Sequence, residues 1–199
     1  MQYNGKKIDQ KFHEFITGCL LGDGSLERQS KRRNARYAEG GSNQKYLEWK
    51  HNFLKQYFPC SFDERLSSPH TKTGKRYQGW WLKTTVHPEI TKLHSQWYSS
   101  QKVIPTDIIQ KYLTDFALTV WFCDDGCSTE GIFFYTFGFS ELEVKLLADI
   151  LKSRFGLSSS ILENQRNQFM IRLDAESKKR FRKITSKFEI PGMQYKLIF

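Results

Sequence analysis

The stretch that decides the fold is Phe15-Ile-Thr-Gly-Cys-Leu-Leu-Gly-Asp-Gly-Ser25, an apolar run that ends abruptly in Asp-Gly. About half a chain length later, the pattern occurs again as Ala117-Leu-Thr-Val-Trp-Phe-Cys-Asp-Asp-Gly-Cys127. One carboxylate at the end of an apolar run is common. Two of them, Asp23 and Asp125, related by an internal repeat, predict a site built around a pseudo-twofold axis.

The first run is predicted to form a helix over residues 11–22 that is buried on more than one side. Its apolar residues recur at helical spacing: Phe12, Phe15, Ile16, Cys19 and Leu20. The opposite face carries small or apolar residues instead of charges: Thr17, Gly18, Leu21 and Gly22. Because two of these are glycines four residues apart, another backbone has room to approach the helix closely.

The charge balance favours a polyanionic partner. Lys and Arg number 31 against 21 Asp and Glu in 199 residues, which gives a formal net charge of +10 at pH 7. Such an excess favours nucleic acid over a membrane surface as the partner. The alternative is a basic protein whose charges form only a solvated surface.

The composition predicts an intracellular, reducing location. Residues 1–10 are polar and lack the apolar core of a signal peptide, and no apolar run approaches the roughly 18 residues of a membrane span. Cys19 and Cys123 lie inside the apolar runs and are predicted to be buried thiols. Cys123 and Cys127 have no second Cys/His pair at zinc-ribbon spacing, which disfavours structural zinc.

Both halves of the chain are predicted to repeat the order α-β-β-α-β-β-α, with Asp-Gly at the end of the first helix. Helices are predicted near residues 11–22, 46–57, 88–98, 108–124, 140–155 and 175–188, and strands within 25–44, 60–86, 131–138 and 159–173. Ser140-Glu-Leu-Glu143 is a capping box that predicts the start of the helix at 140–155. Leu47-Glu-Trp-Lys50 matches Leu142-Glu-Val-Lys145, and Lys102-Val-Ile104 matches Lys196-Leu-Ile198. We therefore predict an α+β fold of two pseudo-symmetric αββαββα repeats, residues 1–102 and 103–199.

Two buried helices with small residues are expected to pack side by side along the pseudo-twofold axis and to bring Asp23 and Asp125 together. Two carboxylates at close range repel each other, and a cation relieves the repulsion. An all-oxygen site favours Mg²⁺ over zinc or copper, and Mg²⁺ bound by carboxylates and phosphate oxygens suits phosphodiester hydrolysis. The repeat therefore predicts Asp23 and Asp125 as catalytic, metal-binding carboxylates.

Lys102 and Lys196 hold equivalent places in the two halves. A lysine in each half would stabilise the charge that develops on a phosphate, or would orient the attacking water. The alternative is a pair of ordinary surface lysines. Their equivalence in the repeat favours a catalytic role.

Cations are concentrated in the predicted hairpins. Hairpin strands form a sheet that can read base edges in the major groove of DNA, while cations at the loop tips hold phosphates. A solvated surface is the alternative for any single cation. The predicted DNA-binding residues are Arg28, Lys31, Arg32, Arg33, Arg36, Lys72, Lys75, Arg76, Lys83, Arg166 and Arg172.

With both motifs in view, the chain resembles the LAGLIDADG homing endonucleases in their single-chain, two-motif form. The likeness lies in Ile16–Gly24, in Leu118–Gly126, and in two Ile-Pro pairs, at Ile104-Pro105 and Ile190-Pro191. It covers nearly the whole chain. Val120 stands where the first motif has Gly18, and Asp124 stands where it has Gly22. Asp124 either adds a charge near the metals or caps its helix.

The resemblance implies motif helices at an interface and a saddle of antiparallel sheets that binds double-stranded DNA. It implies a monomer that cuts both strands of a long DNA site with Mg²⁺ ions shared between Asp23, Asp125 and the scissile phosphates. Short 3′ overhangs result, and the break promotes mobility of the host intron or intein. By position, the backbone carbonyls of Gly22 and Asp124 are further metal ligands, and Lys102 and Lys196 are the active-site lysines.

Two alternatives stay open. A non-cleaving relative would act as a DNA-binding regulator, but such a protein would usually have lost an acid or gained a second DNA-binding domain. An RNA maturase would bind its host intron RNA through the same basic surface. The expected location is a mitochondrion, a chloroplast or the bacterial cytoplasm, with no membrane partner.

Overall fold

Close contact between two apolar helices is the central feature of the computed structural model, which describes residues 5–198. Helices α1 (Gln10–Leu21) and α5 (Asp115–Asp125) pack directly against each other. A Cβ atom on Gly18 would lie 2.5 Å from the carbonyl oxygen of Ala117 and 2.8 Å from the Cβ of Val120. Val120 therefore fills the space that the missing side chain of Gly18 leaves, and the larger residue of the second motif does not prevent close contact.

Residues 5–198 contain eight helices and eight strands, and the fold class is α+β, as predicted. The first half contains α1, β1 (Ser25–Glu27), β2 (Arg36–Gly41), α2 (Gln44–Leu54), β3 (Cys60–Leu66), β4 (Gln78–Thr84) and α3 (Pro88–Trp97). The second half contains α4 (Thr106–Tyr112), α5, β5 (Gly126–Cys127), β6 (Phe133–Tyr135), α6 (Glu141–Phe155), β7 (Ser159–Glu163), β8 (Phe169–Leu173), α7 (Ala175–Thr185) and α8 (Gln194–Leu197).

The single helix predicted over residues 108–124 is wrong, because the chain forms two helices there. Leu113 has a ψ of 79°, which is outside the helical range, and it ends α4. The Thr114 hydroxyl oxygen then accepts a hydrogen bond from the Ala117 N–H at 3.4 Å. This N-cap satisfies an N–H group that has no partner within the helix, so α5 begins at Asp115. The strand predicted at 131–138 is also shorter, at Phe133–Tyr135.

The chain divides into two compact units that each contain one sheet. The first unit comprises the segment ending at Asp9, Gly24–His94 and Ile190–Gly192. The second comprises Gln10–Asp23, Ser95–Glu189 and the segment from Met193 onward. Both motif helices therefore belong to the second unit.

The sheet of the first unit is antiparallel with the strand order β1-β2-β4-β3, and α2 covers one of its faces. Tyr37 and Leu82 are buried on that face. Lys50 of α2 is also fully buried, and its ammonium lies 2.7 Å from the Glu39 carboxylate. A buried charge is tolerated only with such a partner.

The sheet of the second unit is antiparallel with the equivalent strand order β5-β6-β8-β7. The predicted capping box at the start of α6 is present: the Glu143 carboxylate accepts hydrogen bonds from the Ser140 N–H at 2.8 Å and hydroxyl at 2.6 Å. Phe122, Phe134 and Phe181 meet edge to face and join α5, the sheet and α7 in one core.

Two further predictions concern the cysteines and the length of the apolar helices. Cys19 and Cys123 are free and buried, as predicted. Over residues 5–198, none of the helices combines the length and the apolar character needed to cross a bilayer.

Replacing Gly18 with alanine is expected to lower the free energy of unfolding by about 1–3 kcal/mol, because the added methyl group meets backbone that cannot move aside alone. Urea denaturation measures the change. Gly138→Ala is the matched control, since a Cβ there meets nothing within 4 Å. Equal stability of the two variants would contradict the close helix contact.

Candidate active site

Three carboxylates lie at the C-terminal ends of α1 and α5. Asp23 follows α1 and is exposed, whereas Asp124 and Asp125 are the last two residues of α5. A carboxylate oxygen of Asp23 and one of Asp124 lie within 4.8 Å of each other. Asp125 is half-buried and lines a pocket with Gly22 and Lys102. The second unit therefore brings the ends of both motif runs to one place.

The side chain of Asp124 lies against Gly22. A Cβ on Gly22 would lie 2.3 Å from the Cβ of Asp124, so only glycine leaves room for this acid, which is 9% exposed. A carboxylate accepts hydrogen bonds and cannot cap the C-terminal end of a helix, where carbonyl groups lack partners. Asp124 therefore does not cap α5 and instead places a second carboxyl group beside that of Asp23.

Lys102 and Lys196 contact equivalent backbone positions at the ends of the two motif helices. The Lys102 ammonium donates to the Gly22 carbonyl at 3.3 Å. The Lys196 ammonium donates to the carbonyls of Cys123 at 2.7 Å and Asp124 at 2.9 Å. The last turns of α1 and α5 contain no basic residue, so these two lysines supply the positive charge that a helix C-terminus favours.

The two carbonyls predicted as metal ligands, on Gly22 and Asp124, thus accept hydrogen bonds from lysines in this structure. A carbonyl oxygen has two lone pairs. A hydrogen bond from a lysine therefore does not by itself prevent a metal ion from binding the same carbonyl oxygen.

Burial lowers the pKa of Lys102 to about 8. The nearby carboxylates of Asp125, Asp124 and Asp23 act in the opposite direction, because they favour the charged ammonium. Lys102 thus changes its protonation state in a pH range that is accessible to catalysis.

The pocket beside Asp125 has a volume of about 140 Å³. Leu21, Gly22, Lys102 and residues 135–139 complete its lining. The pocket is smaller than the roughly 300 Å³ of typical organic-ligand sites, but it holds several water molecules at ~30 Å³ each. Among the described residues that line it there is no cysteine or histidine, and its oxygen donors suit a hard cation such as Mg²⁺.

The predicted DNA-binding residues near β1 and β2 differ in their surroundings. Arg36 and Lys83 both lie beside the Glu27 carboxylate, at 2.8 Å and 3.8 Å. Arg28 donates to the carbonyls of Arg33 at 2.9 Å and Lys31 at 2.7 Å, so its guanidinium closes the loop. The side chains at the loop tip are exposed and form no ion pair among the described residues: Lys31, Arg32 and Arg33.

The other predicted DNA-binding residues occupy the second hairpin of each unit. Lys72, Lys75 and Arg76 are exposed in the loop that joins β3 to β4. Arg166 is exposed in the turn that joins β7 to β8. Arg172 lies on β8, with its guanidinium 5.7 Å from the centre of the Phe133 ring.

Sequence reasoning missed Trp81, which is 40% exposed on the sheet of the first unit. Arg65 and Lys83 each lie 5.9 Å from its ring. A Cβ on Gly40 would lie 2.7 Å from the ring, so Trp81 lies across β2. The alternation of Trp81 and Lys83 with buried Leu82 was the signal that could have identified this face.

The exposed face of the second sheet is largely apolar, and sequence reasoning did not predict this either. Phe133 and Arg172 are directly paired, as are Tyr135 and Met170, so all four side chains lie on one face. Phe134 and Ile171 lie on the other face and are buried, so this register assigns the first four to the outer face. That face is largely apolar, with Arg172 as its cation.

Comparisons with known proteins agree with this geometry. Residues 13–181 match the model of the LAGLIDADG DNA endonuclease family. The cytochrome b mRNA maturase bI2 of Saccharomyces cerevisiae is 31% identical over 210 residues, covering 99% of this chain and 49% of the relative. The probable intron-encoded endonuclease 1 of Wickerhamomyces canadensis is 27% identical, covering 94% of this chain and 83% of the relative.

A solved structure is also similar over almost the whole chain. It is that of the homing endonuclease I-WcaI bound to its DNA recognition sequence, with a TM-score of 0.85 and 25% sequence identity. The match covers 98% of this chain and 88% of that one. The chain spans about half the length of the Saccharomyces cerevisiae relative.

Nuclear magnetic resonance of ¹³C-labelled lysine side chains is expected to show one resonance of the metal-free protein that titrates with a midpoint near pH 8. This resonance is expected to be absent from Lys102→Met. The low midpoint reflects burial of the ammonium, which the neighbouring carboxylates only partly offset. A spectrum in which every lysine keeps its charge well above pH 9 would contradict this environment.

Proposed function

The chain belongs to the LAGLIDADG DNA endonuclease family, and we propose from that membership that it is a site-specific homing endonuclease. It hydrolyses both strands of a long double-stranded DNA target with Mg²⁺ and leaves short 3′ overhangs. The break promotes mobility of the host intron or intein. The observation that carries the proposal is that acids from both motif ends lie together and that a lysine from elsewhere in the chain binds each of these ends.

In this proposal Asp23 and Asp125 would hold the divalent ions, and the carbonyls of Gly22 and Asp124 would be further oxygen ligands. The fit is supported by the oxygen donors around the pocket and by the short separation of the Asp23 and Asp124 carboxylates. The Asp124 carboxylate raises the local negative charge and so strengthens cation binding. Bound Mg²⁺ would lower the pKa of a coordinated water molecule and would stabilise the negative charge that develops on the phosphate.

The two lysines act on the charge of the reacting phosphate. Each ammonium is already held at the end of a motif helix by backbone carbonyls, so little reorganisation is needed when DNA arrives. Lys102, whose pKa burial lowers to about 8, can also exchange a proton with water. One lysine at each motif end provides one set of groups for each DNA strand.

DNA is bound by the exposed faces and loop tips of the two sheets. The loop tips hold phosphates through Lys31, Arg32 and Arg33, and through the cations of the other hairpin turns. The first sheet reads bases with Arg36, Lys83 and Trp81, and the second reads them mainly by apolar contact with thymine methyl groups. The equivalent strand orders support two repeats, residues 1–102 and 103–199. Because one chain contains both motifs, the protein acts as a monomer.

An RNA maturase is the second candidate function. It is favoured by the 31% identity to a cytochrome b mRNA maturase of Saccharomyces cerevisiae. Splicing of the host intron transcript with and without the purified protein tests it. A non-cleaving regulator is disfavoured because both acids are present. We place the protein inside the cell, in an organelle, since its relatives are named for cytochrome b mRNA and for introns.

Asp23→Asn and Asp125→Asn are each expected to lower double-strand cleavage by at least about a thousandfold, equivalent to about 4 kcal/mol of transition-state stabilisation. The substrate is the intronless host gene or a randomised duplex library, with Mg²⁺ and then with Ca²⁺. Asp149→Asn, at an exposed position on α6, is the control. Full cleavage by Asp125→Asn would reject the assignment of that residue.

Lys196→Met is expected to lower the cleavage rate by about 10²–10³-fold while DNA binding stays near that of the unchanged protein. A lysine that only caps α5 would instead lower the free energy of unfolding and leave the rate intact. Both quantities are therefore measured, together with those of Lys196→Arg, which keeps the charge. Cleavage at the normal rate by Lys196→Met would exclude a catalytic role.

A further inference from the structure

A broad concave surface of the second unit lies away from the carboxylates of the candidate active site. Two adjoining pockets, of about 560 Å³ and 430 Å³, share Asp115, Arg154 and Phe155. We call their combined surface the basic groove. Its cations are Lys11, Arg154, Lys179, Arg180, Lys183 and Lys187, and its acids are Glu14, Asp115 and Glu176.

Much of the positive charge comes from one row of lysines. Lys179, Lys183 and Lys187 follow each other at intervals of four residues, which places them about 6 Å apart along the face of α7 and the turn after it. Lys187 pairs with Asp115. Lys179 and Lys183 form no ion pair among the described residues.

Repulsion between Lys179 and Lys183 disfavours α7, although the C-terminal end of a helix by itself favours a cation such as Lys183. Like charges four residues apart cost about 0.2–0.5 kcal/mol per pair, and a helix with a merely solvated face would intersperse acids. Glu176 is the acid within α7, and it stands in the first turn. The row is therefore better explained by an anion that binds it than by solvation.

The guanidinium groups of the basic groove are held in place. Arg154 donates to the Gln110 carbonyl at 2.6 Å, and Arg180 donates to the Phe155 carbonyl at 3.4 Å. Each has further N–H donors beyond the one used. Anchored guanidinium groups with spare donors suit phosphate oxygens.

The basic groove and the carboxylates lie at opposite ends of the same two helices. Lys11 and Asp115 stand at the N-terminal ends of α1 and α5, while Asp23 and Asp125 stand at their C-terminal ends. Eleven residues of α5 span about 16 Å. A DNA duplex is stiff over about 150 bp, so a duplex held at the carboxylates does not bend around to the basic groove.

We propose that the basic groove is a second nucleic-acid surface, which binds the phosphodiester backbone of a folded RNA. The lysine row and the two arginines contact phosphates. The Glu176 carboxylate repels phosphate but accepts a hydrogen bond from a ribose 2′-hydroxyl, a donor that DNA lacks. Phe188, half-buried at the far end of the groove, offers a ring on which an unpaired base can stack.

This inference rests on the second candidate function, maturase activity, and names the surface that would carry it. The two fail in different ways. If RNA binds at the basic groove but splicing is unaffected, the proposed RNA-binding surface stands and the maturase function is rejected. If charge reversal in the groove changes neither splicing activity nor RNA binding, the maturase function stands and the proposed surface is rejected.

The test compares the full chain with Lys179→Glu/Lys183→Glu, using bulk transfer RNA and duplex DNA of matched length as probes. We expect RNA binding to weaken at least about tenfold, and the slope of log affinity against log salt to fall by about two, while DNA binding is retained. Lys145→Glu/Lys152→Glu is the control, because it makes the same change of charge on α6 outside the basic groove. Thermal melting checks that each variant folds.

Lysine acylation read by mass spectrometry repeats the test on the unchanged protein. Protection of Lys179 and Lys183 by RNA, undiminished by excess duplex DNA, would support the proposal. Equal loss of RNA binding in both double variants would overturn it, as would unchanged RNA binding in the groove variant. If the groove variant loses DNA binding but keeps RNA binding, the basic groove binds DNA and the proposal is rejected. Protection by an acidic protein but not by RNA would also reject RNA.

Discussion

The concentration of negative charge at the C-terminal ends of α1 and α5 is the constraint on which the site depends. Three carboxylates and the partial negative charge of two helix ends meet where neither helix has a basic residue in its last turn. Lys102 and Lys196 come from outside both helices and bind the terminal carbonyls. The ends of the motif helices are therefore held by residues distant in sequence, so the geometry of the candidate site depends on the folding of the whole second unit.

The sequence allowed the fold class and the location of the acids to be predicted, because both follow from local patterns. The repeated Asp-Gly identified the motif helices, and Ser140 with Glu143 identified the start of α6. The break before α5 was missed because the apolar pattern continues through Leu113, and only the Thr114 cap reveals it. The contact of Asp124 with Gly22 could not be predicted either, because it depends on how closely two distant segments approach.

The second unit has different chemistry at the two ends of its motif helices. At the C-terminal ends, acids are balanced by a lysine for each helix. At the N-terminal ends, cations exceed acids, and a row of lysines on α7 is only partly paired. The two sheets differ as well, since the outer face of the first carries charges around Trp81 and that of the second is largely apolar. Internal repetition of the fold has thus not produced equal surfaces.

The contact between the two motif helices is also unequal. Two glycines leave hollows on the first motif, Gly18 within α1 and Gly22 just after it, and two side chains of α5 fill them, Val120 and Asp124. Two copies of α1 would leave voids at such a contact, and two copies of α5 would press bulky and like-charged side chains together. Each helix therefore selects the other and rejects a copy of itself. A chimaera that joins one half of this chain to half of a relative must carry matching residues at these four positions, or its halves will not assemble.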